Sequence, residues 1–327
     1  MDILTTMITP YKANGQVDFE TAEKYVEWYY KNGIDGIFAV CQSSEIFYLT
    51  LEERVELNRR VYRKAKNLDE NFVVVSSGHI SDSFEEQVKE LNAIYESGTD
   101  ALILITNRLD INNEGDDVFI ENAMVMSCDV NDDLLNPENW SFSEPLTYKS
   151  AWEGTVQNGW AAGTIEGTLC LSPKGELMNI MRYNIMEGDP PYGLVLAYKV
   201  NTKDPDAPLT YSHSIKMSCN NAKFMIKYDE ESNKYYSIVS RIDCEERAFG
   251  RNLLSLMSST NLENWEVVCD LIDKRNEDVK KVSFQYVDFE FEGDDIIFLC
   301  RTSINNAHDY HDANYSTFHR IENFRKI

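Results

Sequence analysis

The sequence predicts an α/β segment over residues 1–123 followed by an all-β segment over residues 124–327. In the first segment, apolar runs of strand length alternate with stretches of helical periodicity. In the second, short alternating stretches are separated by turn-forming residues. Seven of the eight prolines also follow Ala123, and proline is disfavoured inside helices. The chain is therefore predicted to contain two domains, 1–123 and 124–327, that meet without a linker.

Four continuous apolar runs in the first segment predict strands that are covered on both faces. They occupy residues 3–8, 36–41, 72–77 and 101–106. Between them, Phe84, Val88, Leu91 and Tyr95 recur at helical spacing and predict an amphipathic helix. Thr50 with Glu53 predicts a capping box at a helix start. The alternation predicts a parallel sheet, although a fourth helix beginning near Asp116 is cut short.

Antiparallel hairpins are predicted throughout the second segment. The strand-like stretches lie at residues 168–171, 194–200, 235–239, 253–257 and 296–300. Turn-forming residues separate the stretches at 173–176, 228–231 and 292–295. Trp140 and Trp265 end two similar turns, and a tryptophan at a recurring turn is typical of propeller blades.

The composition excludes several classes of partner. The net charge of -24 argues against binding to nucleic acid or to an anionic membrane. No apolar run approaches the ~20 residues of a membrane span, and the N-terminus shows no secretory signal. Seven cysteines without CxxC spacing favour reduced thiols, mostly in the core, of a cytoplasmic protein. His308, His311 and Asp312 are close in sequence, but this spacing is usually not a metal site, so no metal or cofactor is expected.

Residues 1–123 resemble the dihydrodipicolinate synthase and N-acetylneuraminate lyase family of pyruvate-dependent class I aldolases. The resemblance is carried by residues 9–11, 15–18, 32–37, 43–45, 49–54, 73–78 and 98–106. It covers the first four units of the eight-unit (β/α)8 barrel of that family, and so implies half a TIM barrel. It also implies that Ser43 and Ser44 occupy the positions of a hydroxyl pair that binds the substrate carboxylate. In the family, a Schiff-base lysine lies on the sixth strand, and no sixth strand follows Ala123, so lyase activity is not expected.

Residues 124–327 resemble the C-terminal part of a bacterial sialidase-like glycoside hydrolase β-propeller. The resemblance is carried by residues 132–135, 165–168, 173–175, 221–224, 284–288, 301–302 and 311–315, with Trp140 and Arg182. The turn at residues 258–265 resembles the sialidase Asp-box, with Thr260 and Leu262 in place of its Asp and Gly. The length suffices for about three to four blades, so a partial β-propeller is implied.

By this resemblance, Tyr286 is the nucleophile of a glycosidase and Glu166 is its base. Arg182 and Arg301 are two of the arginines that bind the sugar carboxylate, and Asp288 is a poor candidate for the acid. Each residue also has a structural interpretation. Tyr286 lies among phenylalanines and is equally compatible with a core or edge position. The arginines fit surface ion pairs, Glu166 fits a turn cap, and the serines fit turn or capping positions.

Two functional hypotheses remain open. In the first, the chain belongs to sialic-acid or related sugar metabolism, with a propeller that hydrolyses or binds glycosides and an aldolase-like segment kept as a scaffold. In the second, it is a catalytically silent fusion of two fragments that binds a carbohydrate or carboxylate weakly. The expected ligand is a small sugar or a 2-oxo acid. Because half a barrel leaves open strand edges and an unpacked interior, we expect a homo-oligomer or an aggregation-prone chain.

Overall fold

The computed structural model divides into two compact units, Met1–Arg108 and Leu109–Ile327. The structure describes residues 4–41, 44–81, 83–102, 122–133, 136–155, 163–185, 191–219 and 222–327. The division lies N-terminal to the predicted junction after Ala123, and Ala123 itself packs in the core of the second unit. The predicted start of the fourth helix at Asp116 lies outside the described residues.

A parallel sheet flanked by helices forms the first unit. Its strands are β1 (Leu4–Thr6), β2 (Gly36–Phe38), β3 (Val73–Ser76) and β4 (Ala101–Leu102), in the order β1-β2-β3-β4. Its helices are α1 (Phe19–Lys31), α2 (Leu51–Leu68) and α3 (Phe84–Ser97). All three strand pairs are parallel, so the predicted alternation is confirmed. Among the described residues this sheet is open, with β1 and β4 at its edges.

Some of the helix features predicted from the sequence are present in the structure, and others are not. Thr50 and Glu53 form the predicted capping box at the start of α2, since each side chain bonds the other residue's backbone N–H. Helix α1 buries Ala22 and Val26 against the sheet core. The amphipathic helix predicted at α3 is confirmed, but three of its four predicted apolar residues, Phe84, Val88 and Tyr95, are exposed, and Tyr95 is exposed by 64%. The periodicity predicts that an apolar face exists, but a face is buried only where another element covers it.

Antiparallel meanders form most of the second unit. Two short pairs come first, from β5 (Asn122–Ala123), β6 (Met126–Ser127), β7 (Ser141–Phe142) and β8 (Leu146–Thr147), with β5 on β8 and β6 on β7. The first large sheet consists of β9 (Gly163–Leu171), β10 (Leu177–Asn184), β11 (Leu194–Lys199) and β12 (Thr210–Lys216). The second consists of β13 (Ile226–Asp229), β14 (Lys234–Ser240), β15 (Leu253–Ser259) and β16 (Glu266–Asp273). The third consists of β17 (Ser283–Glu292), β18 (Asp295–Ser303) and β19 (Tyr315–Ile321).

Consecutive sheets of this unit pack face to face. Alternate residues of β10 enter two different cores: Met181 packs with Ala123 on one side, whereas Ile180 packs with Val239 of the second sheet on the other. Leu254 of the second sheet packs in turn with Phe298 of the third. The predicted antiparallel hairpins are therefore confirmed. In the described part of the unit every sheet is open, and the partial β-propeller stays a prediction.

Seven free cysteines are present, as the sequence predicts. Only Cys41, Cys219 and Cys300 are buried, whereas the other four are partly exposed, so the prediction of core positions holds in part. Within the described residues, no helix combines the length and the apolar character that a membrane crossing requires.

Candidate functional site

Two β-bulges of the second unit expose side chains that the sequence analysis singled out. The β9–β10 register shifts opposite Glu166, and the β17–β18 register shifts at Tyr286. Both residues have a left-handed backbone, with φ of 53° at Glu166 and 54° at Tyr286. This conformation is unfavourable for residues other than glycine by roughly 1 kcal/mol or more, and such strain concentrates at functional sites. Both residues are therefore bulged positions, a type of position that is over-represented next to functional sites.

Arg182 of β10 contacts both bulged residues. Its Nη1 donates to Glu166 Oε2 at 2.6 Å and to Tyr286 Oη at 3.2 Å. Its Nη2 donates to Asn184 Oδ1 at 3.4 Å. The residue is 8% exposed, and its buried Nε has no hydrogen-bond partner among the described residues. The Arg182 guanidinium thus links Glu166, the predicted base, to Tyr286, the predicted nucleophile. Its Nε remains as a further hydrogen-bond donor.

Arg251, which sequence reasoning missed, lies on the other side of Tyr286. It precedes β15, is 6% exposed, and donates from Nη1 to Gln285 Oε1. Its guanidinium carbon lies 5.8 Å from the centroid of the Tyr286 ring and 5.4 Å from that of Tyr310. Burial lowers the pKa of Arg251; Tyr286 opposes this effect, and the charge of Arg182 adds to it. A buried guanidinium whose charged form is disfavoured by a second cation gains stability when an anion binds.

Arg301 of β18 completes a cluster of three arginines. Its guanidinium carbon lies 4.8 Å from the centroid of the Tyr286 ring, and its Nη2 donates to the His311 carbonyl at 2.7 Å. The His311 ring meets the Tyr286 ring edge to face, with centroids 6.4 Å apart. We call Glu166, Arg182, Arg251, Tyr286 and Arg301 the arginine site. The structure brings together all four residues predicted for this segment and adds Arg251.

Asp288, the weak candidate for an acid, points elsewhere. It is exposed, and its Oδ1 lies 3.6 Å from Lys227 Nζ. It is therefore not part of the arginine site. His308, Asp309 and Asp312 place three potential metal ligands within 4.8 Å of one another on the surface loop that contains His311. The group contains His308 and Asp312 of the predicted set but Asp309 in place of His311, and the absence of a metal stays a prediction.

In the first unit, Ser44 is fully buried. Its Oγ donates to the Met7 carbonyl at 2.6 Å, and its own carbonyl accepts from Thr9 Oγ1 at 2.6 Å. The hydroxyl predicted to bind a substrate carboxylate thus bonds to main chain. Ser43 lies outside the described residues, so the predicted carboxylate-binding role of the pair stays a prediction.

The first unit is similar in sequence to known synthases. Residues 1–107 match the family model described as the Dihydrodipicolinate synthetase family. The 4-hydroxy-tetrahydrodipicolinate synthase of Pseudomonas aeruginosa is 29% identical over 103 residues, which are 32% of this chain and 34% of that protein. The synthase of the same name from Prochlorococcus marinus is 35% identical over 104 residues, 32% of this chain and 33% of that protein. Residues 1–107 are thus similar to the dihydrodipicolinate synthetase family, and this match covers about a third of the chain.

A solved structure is similar to the same fraction of this chain. The dihydrodipicolinate synthase of Bacillus anthracis is 30% identical and covers 32% of this chain and 35% of its own, with a TM-score of 0.30. The chain spans about a third of the length of the relatives it matches. The resemblance of residues 124–327 to sialidases stays a prediction.

Proposed function

We propose that the second unit binds an acidic sugar through its carboxylate and hydrolyses its glycosidic bond, as a sialidase-type glycosidase on a partial β-propeller. The observation that carries this proposal is the convergence on one tyrosine of three arginines, from β10, from β18 and from the residues before β15. Guanidinium groups bind carboxylates through paired, charge-assisted hydrogen bonds. Arg182 and Arg251 are both largely buried cations, and the charge of Arg182 contributes to lowering the pKa of Arg251, so both attract a carboxylate that enters the site.

Tyr286 and Glu166 supply the chemistry in this proposal. A phenol is a suitable nucleophile for an anionic sugar, because a carboxylate nucleophile would be repelled by the substrate. Glu166 accepts the phenol proton, and Arg182 Nη1, which contacts both side chains, stabilises the phenolate as it forms. The strained backbone at both residues supports a role that outweighs its cost in stability.

A second candidate is a catalytically silent protein that only binds carboxylates. The 2.6 Å ion pair between Glu166 and Arg182 favours it, because the carboxylate neutralises one of the three cations before any ligand arrives. The ligand is then a sugar acid or another small carboxylate, bound by Arg251 and Arg301.

Turnover of a fluorogenic aryl sialoside by the full chain separates the two candidates. We expect hydrolysis by the unaltered chain and its loss in Tyr286→Phe, which keeps the ring and removes the nucleophilic oxygen. Tyr315→Phe, on the exposed strand β19, is the matched control and is expected to retain activity. Hydrolysis that survives in Tyr286→Phe would overturn the glycosidase. Absence of turnover combined with saturable binding of N-acetylneuraminic acid would establish the silent candidate.

For the first unit we propose a scaffold role without lyase activity. The support is the short length of the match: residues 1–107 match the family, and the chain spans only about a third of the length of its relatives. Borohydride treatment in the presence of pyruvate is expected to leave the mass of the chain unchanged, and a trapped adduct would overturn this proposal. We also propose a homo-oligomeric or aggregation-prone protein of the cytoplasm.

A further inference from the structure

We propose that Gln285 is a positioning residue that aligns Arg251 with Arg301 and thereby sets the preference of the arginine site for a carboxylate over a neutral group. The inference rests on the carboxylate binding proposed above. Gln285 is 1% exposed, so it acts on a ligand through its neighbours and not by direct contact. A guanidinium binds a carboxylate well when its planar donors already point at the two oxygens.

Gln285 lies between the predicted nucleophile and two of the arginines. It precedes Tyr286 at the bulge of β17, and the register of β17 on β18 places it opposite Arg301. Its Oε1 accepts a hydrogen bond from Arg251 Nη1. One buried amide therefore contacts the arginine that precedes β15 and is the cross-strand neighbour of the arginine on β18.

The hydrogen-bond partners of the Gln285 amide allow only one orientation. Its Nε2 donates to the Tyr310 carbonyl at 2.7 Å and to the His311 carbonyl at 3.1 Å. Carbonyl oxygens only accept hydrogen bonds, and a guanidinium only donates them. The amide nitrogen must therefore face the two carbonyls, and the amide oxygen must face Arg251. Both hydrogens of Nε2 are used, so the side chain is fixed before a ligand enters the site.

The amide fixes Arg251 without cancelling its charge. Because Gln285 is neutral, the hydrogen bond to its Oε1 leaves the positive charge of Arg251 to attract an anion. The site holds Arg182 in a different way, since the Glu166 carboxylate pairs with it at 2.6 Å. A glutamate at position 285 would neutralise Arg251 as Glu166 neutralises Arg182. The neutral amide is therefore the feature that combines a fixed direction with an available charge.

Gln285 also connects Arg251 to Arg301. The His311 carbonyl, which accepts from Gln285 Nε2, also accepts from Arg301 Nη2 at 2.7 Å. A chain of hydrogen bonds thus runs from Arg251 through the amide and this carbonyl to Arg301. The two guanidinium carbons lie 5.8 Å and 4.8 Å from the centroid of the Tyr286 ring. Arginines that are ordered in advance lose less conformational entropy on binding, so the chain of hydrogen bonds favours a carboxylate held by both.

The test compares a ligand that has the carboxylate with one in which it is masked. Calorimetric titration of the full chain gives the affinities for N-acetylneuraminic acid and for its neutral methyl ester. We expect the unaltered chain to prefer the acid. Gln285→Met keeps most of the volume and removes all three hydrogen bonds. It is expected to lower this preference about tenfold, with the affinity for the ester within about threefold of that of the unaltered chain.

A second variant and a control separate positioning from a loss of stability. Gln285→Glu keeps an acceptor for Arg251 but adds a negative charge, so it is also expected to lower the preference by about tenfold or more. Asp229→Asn is the control. Asp229 pairs with Arg325, whose Nη1 also donates to the Gly293 carbonyl just beyond the other end of β17. This variant is destabilised away from the arginine site and is expected to keep the preference within about twofold.

Each outcome decides for or against the role of Gln285. An unchanged preference in its variants overturns that role and leaves carboxylate binding intact. Equal losses for the acid and the ester overturn it as well, because they indicate a purely structural residue, and so does a lowered preference that Asp229→Asn shares. If only one Gln285 variant folds, its result decides. An unaltered chain that does not prefer the acid overturns the proposed carboxylate binding, and the role of Gln285 with it.

Discussion

Replacement of Arg251 by methionine tests whether the arginine site binds carboxylates. Methionine keeps the length and much of the volume of the side chain but removes the buried guanidinium. Hydrogen bonds to charged groups contribute about 1.5–3 kcal/mol. Since about 1.4 kcal/mol is a factor of ten in affinity, the dissociation constant for N-acetylneuraminic acid is expected to rise about 10- to 100-fold. Gln285 Oε1 also loses its donor, which destabilises the fold by about 1–3 kcal/mol.

Calorimetric titration of the full chain with N-acetylneuraminic acid measures this effect, at a temperature well below the melting transition of the variant. Arg275→Met is the matched control, because Arg275 is a partly exposed arginine of the same unit that pairs with Asp273 at 2.5 Å and with Asp243 at 2.9 Å. The control is expected to bind within about twofold of the unaltered chain. Equal affinities of the Arg251 and Arg275 variants would refute the reasoning, because the buried guanidinium would then contribute nothing to binding.

Three further predictions concern charge, stability and assembly. Glu166→Gln frees Arg182 from its ion pair, so affinity for the free acid is expected to rise about two- to fivefold in the same titration while sialoside turnover falls. Asp229→Asn breaks a largely buried pair with Arg325 and is expected to lower the free energy of unfolding by about 3 kcal/mol in urea melts at pH 7. Because hydrogen bonds from Arg325 hold the pKa of Asp229 far below its ordinary value, this difference is present above about pH 4 and is lost as the pH falls further. Light scattering is expected to show oligomers or aggregates of the unaltered chain and fewer of them in Phe318→Asp. The reason is that Phe318 is exposed opposite Leu299, which is also exposed. A monodisperse monomer of the unaltered chain would contradict this prediction.

Local signals in the sequence predicted local structure well. The capping box of Thr50 and Glu53 depends on atoms three residues apart, and the hairpin strands depend on alternation within one segment. The exposed face of α3 and the buried hydroxyl of Ser44 depend instead on what packs against them. Periodicity carries no information about such neighbours, so both were predicted incompletely.

The arginine site also depends on contacts between distant parts of the chain, which sequence patterns do not reveal. Glu166, Arg182, Tyr286 and Arg301 were predicted from a resemblance to a family, not from spacing in the chain, and their roles stay predictions. Arg251 was missed because its contact with Tyr286 arises only when the second and third sheets stack. The one local hint was its place directly before β15, a strand that is buried along its whole length. A positively charged side chain beside such a strand is rarely buried without a function.

The stacking of separate apolar layers has a consequence for the dynamics of the second unit. Amide hydrogen exchange is expected to reveal openings that release one sheet at a time, because each interlayer core is a distinct cluster. The arginine site takes Arg182 from the first large sheet, Arg301 from the third and Arg251 from the residues before β15 of the second. If the proposed carboxylate binds there, we expect it to link the three layers and, at a hundredfold excess over its dissociation constant, to add about 2.7 kcal/mol to the stability of the unit. Saturation with the ligand is therefore expected to slow amide hydrogen exchange first around Tyr286 and then in the sheets packed against it.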